Sequence, residues 1–266
     1  MDDRPIGVFD SGFGGLTVAR ALIDLLPGED LVYFGDSARY PYGPRSLDEV
    51  RRFARQITSM LVERHHVKMI VVACNTASAA ALELLRFEHD VPLVGVIDPG
   101  VRACFAVTRN HRVGVIGTVG TIASGAYQRA VGQHRAEVDL TACACPGFVE
   151  LVERGETDSD QVHVLAERLL APVKEAGVDT LLLGCTHYPF LARTIGDVMG
   201  RDVVLVSSAD ETAFEVRAIL EETGQVRRSP KGSHRFVSSG DVGWFLEMGS
   251  RLLGDEVDEV EPWSWD

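Results

Sequence analysis

Val71-Val72-Ala73-Cys74-Asn75-Thr76-Ala77 passes from a continuous apolar run, through a lone cysteine, into a helical pattern. A run of β-branched residues this short, without polar alternation, is the signature of a strand covered on both faces. The same sentence is written again 111 positions later (185 − 74), in Leu182-Leu183-Gly184-Cys185-Thr186-His187-Tyr188-Pro189. Each segment therefore places a thiol at the carboxyl end of a buried strand and at the entrance to a helix. In a parallel α/β sheet that end is where ligands bind.

Outward from these segments, short β-branched runs alternate with helical periodicity. The pattern predicts strands at 6–9, 31–34, 69–73, 93–97, 113–116, 138–142, 180–183 and 203–206, with a ninth at 235–238. Helices are predicted at 16–26, 47–63, 77–86, 159–176, 190–199, 211–222 and 242–253. Alternation of this kind implies an α/β fold built on parallel sheets. Landmarks recur at nearly constant offset. Gly7-Val8-Phe9-Asp10-Ser11 matches Gly114-Val115-Ile116-Gly117-Thr118 at 107 (114 − 7), and Val94-Gly95-Val96-Ile97 matches Val204-Leu205-Val206-Ser207 at 110 (204 − 94). Three agreeing offsets favour two copies of one α/β unit, at 1–98 and 99–207. No linker precedes 208–266, so these residues are expected to return to the first unit. The acidic end, 255–266, reads as a surface tail whose tryptophans pack locally.

The 266 residues carry a net charge of −13, with 45% hydrophobic and 24% charged side chains. That composition is globular, and the negative field repels nucleic acid. An anionic substrate would need local donors such as helix N-termini and hydroxyls. No apolar run reaches the length of a membrane span, and Met1-Asp2-Asp3-Arg4 lacks the features of a signal peptide, so a cytoplasmic location is expected. Five cysteines, at 74, 104, 143, 145 and 185, form no C-x-x-C pair, which argues against a disulfide framework. Cys143 and Cys145 should point to opposite faces of a strand, and with Cys104 they read as small buried hydrophobes. No metal site is legible. Lys68, Lys174 and Lys231 are the lysines of the chain, and none lies in a motif that would suit a pyridoxal phosphate enzyme.

The remaining motifs lie at strand ends. Asp10-Ser11-Gly12-Phe13-Gly14-Gly15 follows the first strand and departs from G-x-G-x-x-G, so a dinucleotide is disfavoured. Asp10 is either an N-cap or a functional carboxylate facing the cysteines. Gly35-Asp36-Ser37-Ala38-Arg39-Tyr40-Pro41-Tyr42-Gly43-Pro44 is a loop at the second strand's end, suited to covering a substrate. A cysteine at a helix N-terminus meets the positive end of the macrodipole, which favours thiolate. Asn75 and Thr76 offer amide and hydroxyl groups, and His187 could hold the nearby thiol as thiolate or donate to a carboxylate. With an ordinary pKa of about 8.5, cysteine suits reversible proton transfer. A thiol on either side of a carbon is what inverting its configuration requires.

On Gly7-Val8-Phe9-Asp10-Ser11-Gly12-Phe13-Gly14-Gly15-Leu16-Thr17, Pro41-Tyr42-Gly43, Ala73-Cys74-Asn75-Thr76-Ala77, Cys145-Pro146, Phe148-Val149, Leu151-Val152-Glu153 and Gly184-Cys185-Thr186-His187-Tyr188-Pro189, the chain resembles the glutamate racemases over nearly its whole length. The resemblance implies two similar flavodoxin-like domains with parallel sheets and an active site in the cleft between them. It implies cofactor-independent 1,1-proton transfer between L- and D-glutamate for peptidoglycan. Cys74 would act on the D isomer and Cys185 on the L isomer, with Asp10, His187 and Glu153 as auxiliary groups. Substrate contacts would fall on Asp10, Ser11, Tyr42, Gly43, Asn75, Thr76, Thr118, Thr121, Thr186 and His187. A homodimer is compatible with the family. Where some relatives carry proline, this chain has Glu150, which leaves open whether Glu150 or Glu153 assists. The alternatives are an aspartate or hydantoin racemase, a thiol–disulfide redox protein using Cys74 and Cys185, and a non-enzymatic interaction role of the kind by which some glutamate racemases inhibit DNA gyrase.

Overall fold

A computed structural model describes residues 2–134 and 137–265. The chain divides into two compact units, Met1–Val96 with Ala209–Asp266, and Ile97–Ser208.

The first unit runs β1 (Ile6–Asp10), α1 (Leu16–Leu25), β2 (Leu31–Gly35), α2 (Leu47–His65), β3 (Met69–Val72), α3 (Asn75–Glu88) and β4 (Leu93–Gly95). The second contains α4 (Ile97–Val107), β5 (Arg112–Gly117), α5 (Val119–Ala123), α6 (Ala126–His134), β6 (Asp139–Ala144), α7 (Phe148–Glu153), α8 (Asp160–Glu175), β7 (Thr180–Gly184), α9 (Ala192–Met199) and β8 (Val204–Val206). The chain then adds α10 (Ala209–Glu222), β9 (His234–Ser238), α11 (Val242–Leu253) and β10 (Glu261–Pro262) to the first unit. No helix among the described residues is long and apolar enough to cross a membrane.

Both sheets are parallel, ordered β10-β9-β2-β1-β3-β4 and β6-β5-β7-β8. The four strands β2-β1-β3-β4 have the same permutation as β6-β5-β7-β8, each with the first strand of its unit inside. Strands β1, β2, β3 and β7 are buried along their whole length, as their unbroken apolar runs demand. Right-handed crossovers send the helices after the first and third strands of each unit to opposite faces. Accordingly α1 packs with α10 and α11, while α2 packs with α3. Between β1 and β3, and between β5 and β7, the outgoing loops diverge, and such a switch point opens a crevice at the carboxyl ends.

Local chemistry sets the helix starts. Ser46, Ser159 and Asp241 cap α2, α8 and α11 by accepting the N–H of Glu49, Val162 and Trp244. Helices α4 to α7 were not anticipated. In α4, Pro99 and Gly100 interrupt the apolar pattern, yet a proline in the first turn removes only an N–H that has no helical partner; the strand there stops at Gly95 rather than 97.

Two further expectations are corrected. The 255–266 segment, expected as a surface tail whose tryptophans pack locally, also contributes a strand: β10 joins the sheet edge beside β9, and Trp263 and Trp265, packed on each other, stack edge-on against Phe34 of β2. Cys145 lies one residue beyond β6, where strand alternation no longer applies; it is buried, whereas Cys143 is half-buried and donates to Leu169 O at 3.1 Å.

Candidate active site

At the switch point of the first unit, β1 delivers Asp10 and β3 delivers Cys74. Asp10 is fully buried. Its Oδ2 accepts the N–H of Gly12 at 3.1 Å and of Gly15 at 3.2 Å, while Oδ1 has no partner. A buried carboxylate oxygen without a donor is costly, and it leaves room in the chemistry for a cationic or N–H donor from a ligand. Gly15 is dictated by this packing. A Cβ there would stand 2.6 Å from Asp10 Cβ and 2.8 Å from Tyr33 Oη. The Tyr33 phenol donates to Gly12 O at 2.9 Å, and burial, followed by the charges of Asp10 and Cys74, holds its proton far above the usual range.

Cys74 caps α3. Its Sγ accepts the Ala77 N–H at 3.5 Å, and the thiol donates to Ser11 Oγ at 3.8 Å. Asn75 and Thr76, both buried, form the first turn of the same helix. The macrodipole does not yield a free thiolate here. Burial first, and the Asp10 charge second, push the Cys74 thiol up to about 12, against the weaker pull of the Ala77 and Ser11 groups. Dipole-based reasoning missed this because the opposing carboxylate is 64 residues away in sequence.

The 35–44 loop lies beside this half-site. Asp36 N–H donates to Asp10 O at 3.0 Å. The Tyr42 side chain is buried and its hydroxyl donates to Asp36 Oδ2 through a short hydrogen bond, so the phenol is engaged within the loop. Gly43 sits in the turn closed by Arg45 N–H to Tyr42 O at 3.1 Å. Asp36 was quoted in the loop but not recognised as its hub. The clue was its place directly after a buried strand, where a carboxylate requires partners.

In the second unit, β5 and β7 deliver the matching pair of loops. Thr118 caps α5, accepting from Thr121 N–H at 3.3 Å, and the two hydroxyls are 2.9 Å apart. Cys185 follows β7 and is buried. Gly184 is needed before it, because a Cβ would meet Ile116 O at 2.7 Å. Thr186 Oγ1 lies 3.4 Å from His187 Nδ1, and His187 Nε2 lies 2.8 Å from Glu153 Oε1. Helix α7 brings Glu153 there by being pinned to the turn after β7: Phe148 packs edge-on against Tyr188, whose hydroxyl donates to Cys145 O at 3.1 Å. Glu150, on the same helix, is exposed. The pairing with His187 thus belongs to Glu153.

Each unit accordingly presents a buried thiol, hydroxyls, helix N-terminal N–H groups and a carboxylate beside the thiol or its neighbouring imidazole. Among the described residues no three His, Cys, Asp or Glu side chains cluster as metal ligands.

Comparison with known proteins agrees with this arrangement. The sequence pattern of the Asp/Glu/Hydantoin racemase family matches residues 6–215. The chain is 54% identical to the glutamate racemase of Mycobacterium leprae over 260 residues, 97% of this chain and 95% of that one. Among solved structures, glutamate racemase isoform RacE1 from Bacillus anthracis superposes with a TM-score of 0.94 at 41% identity, covering 100% of this chain and 98% of that one. The glutamate racemase of Francisella tularensis, solved with D-glutamate, gives 0.92 at 33% identity, covering 99% and 98%. With strand-end thiols repeated in two like units and full-length likeness of this degree, the chain belongs to the Asp/Glu/Hydantoin racemase family.

Proposed function

We propose that the protein is a cofactor-independent glutamate racemase in which Cys74 and Cys185 act on opposite faces of one Cα. One thiolate removes the Cα hydrogen as a proton, and the other thiol returns a proton from the opposite face. The roles exchange for the reverse reaction, so the two thiols end each turnover with their proton states interchanged. The observation that carries the reading is the matched placement of Cys74 after β3 and Cys185 after β7, each the third strand of its unit. Full-length relatives more than 50% identical are glutamate racemases, which favours glutamate over aspartate or hydantoin substrates and over thiol–disulfide exchange.

The neighbouring groups are assigned accordingly. The unpartnered oxygen of Asp10 suits the substrate ammonium. A cation there would offset the charge that now opposes ionisation of Cys74, so substrate arrival itself prepares the base. Ser11, Asn75, Thr76, Thr118, Thr121 and Thr186, with backbone N–H groups of Tyr42 and Gly43, hold the two carboxylates without an arginine. His187, supported by Glu153, serves beside Cys185 as proton donor or carboxylate ligand. D-Glutamate made this way supplies peptidoglycan synthesis in the cytoplasm.

The test is isotopic. Either glutamate enantiomer incubated in deuterated water should yield product carrying deuterium at Cα, and neither aspartate enantiomer should turn over comparably. Product that retains the original Cα hydrogen overturns the two-base assignment.

A further inference from the structure

The last residues of the chain grip the loop that holds the first half-site. Glu261 and Pro262 pair with Val237 and Ser238, and Trp263 N–H continues the ladder to Ser238 O at 2.9 Å. Arg235 clasps Glu261 through two hydrogen bonds of 2.8 Å, fixing that register. Two residues on, the Trp265 indole N–H donates to Asp36 Oδ1 at 2.8 Å. The Trp265 ring meanwhile lies 4.0 Å from the Arg39 guanidinium, whose other neighbour is the Phe53 ring at 4.1 Å. Asp36 is fully buried and uses both oxygens: Oδ1 takes Trp265 and the Ser239 hydroxyl at 2.8 Å, and Oδ2 takes Arg39 Nε at 2.7 Å and Tyr42 Oη.

This hub touches the half-site twice. Asp36 N–H is bonded to Asp10 O, and the Tyr40 ring lies against Gly12, where a Cβ would approach it to 3.3 Å. Charge-assisted hydrogen bonds and a cation–π stack in a site with little water are the contacts that fix a loop in one conformation. A sheet-edge strand of two residues would do little for the core by itself, yet it leads to Asp36, the carboxylate that ties Arg39, Tyr42 and Ser239 together.

We propose that Trp265 is a positioning residue for racemisation: its indole N–H and ring hold Asp36 and Arg39, and through them the loop that presents Tyr42 and Gly43 to the substrate. The proposal rests on the reading of Tyr42 and Gly43 as substrate contacts. A loop ordered only part of the time lowers apparent affinity by the fraction ordered.

Trp265→Phe keeps the ring and removes the donor. Trp263→Phe is the matched control, because the Trp263 Nε1 has no partner to lose. Losing one charge-assisted hydrogen bond corresponds to about a ten- to hundredfold change in the loop's order–disorder equilibrium. Trp265→Phe should therefore raise KM for both enantiomers by at least about twofold and at most about that factor, with kcat within about twofold, and Trp263→Phe should leave KM unchanged. Amide hydrogen exchange of the ligand-free protein should quicken at 36–45 in Trp265→Phe and not in Trp263→Phe. An unchanged KM in Trp265→Phe, or equal effects of the two variants, overturns the proposal. A wild-type chain that fails to racemise glutamate refutes the proposed function instead; the exchange comparison, which needs no substrate, then decides the clamp alone.

Discussion

Replacing Glu153 with glutamine isolates what its charge does for His187. The amide retains an oxygen where Oε1 now stands, 2.8 Å from His187 Nε2, so the contact survives while the negative charge disappears. His187 is 2% exposed and the Glu153 side chain 14%, so solvent screens the pair little. A hydrogen bond to a charged partner contributes about 1.5–3 kcal/mol and a neutral one about 0.5–1.5, which leaves about 1–1.5 kcal/mol for the charge. If His187 carries positive charge in the transition state, kcat/KM should fall about five- to tenfold. Enantiomers are equal in free energy, so kcat/KM must fall by the same factor in both directions, which is an internal check on the assay. Glu153→Ala should cost about a further tenfold, because a buried ring nitrogen then loses its partner. Glu150→Gln, at an exposed position, should stay within about twofold. Following each direction by optical activity gives all these values. A Glu153→Gln variant at wild-type kcat/KM, or a larger loss in Glu150→Gln, would refute the pairing as part of the chemistry.

Cys74→Ala and Cys185→Ala should each abolish racemisation while leaving thermal unfolding within a few degrees of wild type; most activity retained in either rejects the two-base mechanism. Stability should fall at alkaline pH. Burial raises both the Cys74 and Cys104 thiols to about 12, so above the unfolded value of about 8.5 the unfolded chain loses protons that the native one keeps, at about 1.4 kcal/mol per pH unit for each thiol. Cys104→Ala should lessen that slope between pH 9 and 10.5 in urea unfolding, and an unaltered slope would contradict the burial argument. Gly15→Ala should destabilise by about 1–3 kcal/mol, since its Cβ meets the Cβ atoms of Asp10 and Ala73 at 2.6 and 3.0 Å. Gly132→Ala, in α6 with nothing within 4 Å, should stabilise by about 0.5–1 kcal/mol; an equal response at the two sites would mean the crowding at Gly15 is relieved without cost.

What could be read from the sequence was whatever depends on neighbours along the chain. Buried strands such as β3 and β7 declare themselves by uninterrupted apolar residues, and a cysteine, glycine or aspartate just past them falls at the carboxyl end by necessity. Helices α5 and α7, of five and six residues, are too short for a periodic signal and exist because tertiary contacts such as Phe148 on Tyr188 hold them. The selection of Glu153 over Glu150 depends on which face of α7 meets His187, 34 residues away, and no local pattern encodes that. The raised pKa of Cys74 and the role of Trp265 are set by the fold rather than by neighbours in sequence: burial first and Asp10 second act on Cys74, and Trp265 reaches Asp36.

A common strand order explains why the thiols match and why their surroundings do not. The β2-β1-β3-β4 arrangement, repeated as β6-β5-β7-β8, fixes where a residue after the third strand must lie, so Cys74 and Cys185 hold equivalent places. It places no constraint on what the end of the first strand carries: β1 ends on Asp10, whereas β5 ends on Gly117 with Thr118 just beyond. Burial first, and the Asp10 charge second, hold the Cys74 thiol well above its ordinary range, so it is protonated at neutral pH. In the proposed mechanism a substrate ammonium beside Asp10 offsets the part of that shift that the carboxylate contributes. The burial that keeps the thiol protonated, with Asp10 adding to it, also keeps a reactive thiolate from persisting. Around His187 the arrangement differs in kind: a buried imidazole with its own carboxylate can shift a proton without changing the charge of the pair. Mirror-image substrates need two proton-transfer faces of equal competence, and equal competence does not require equal means.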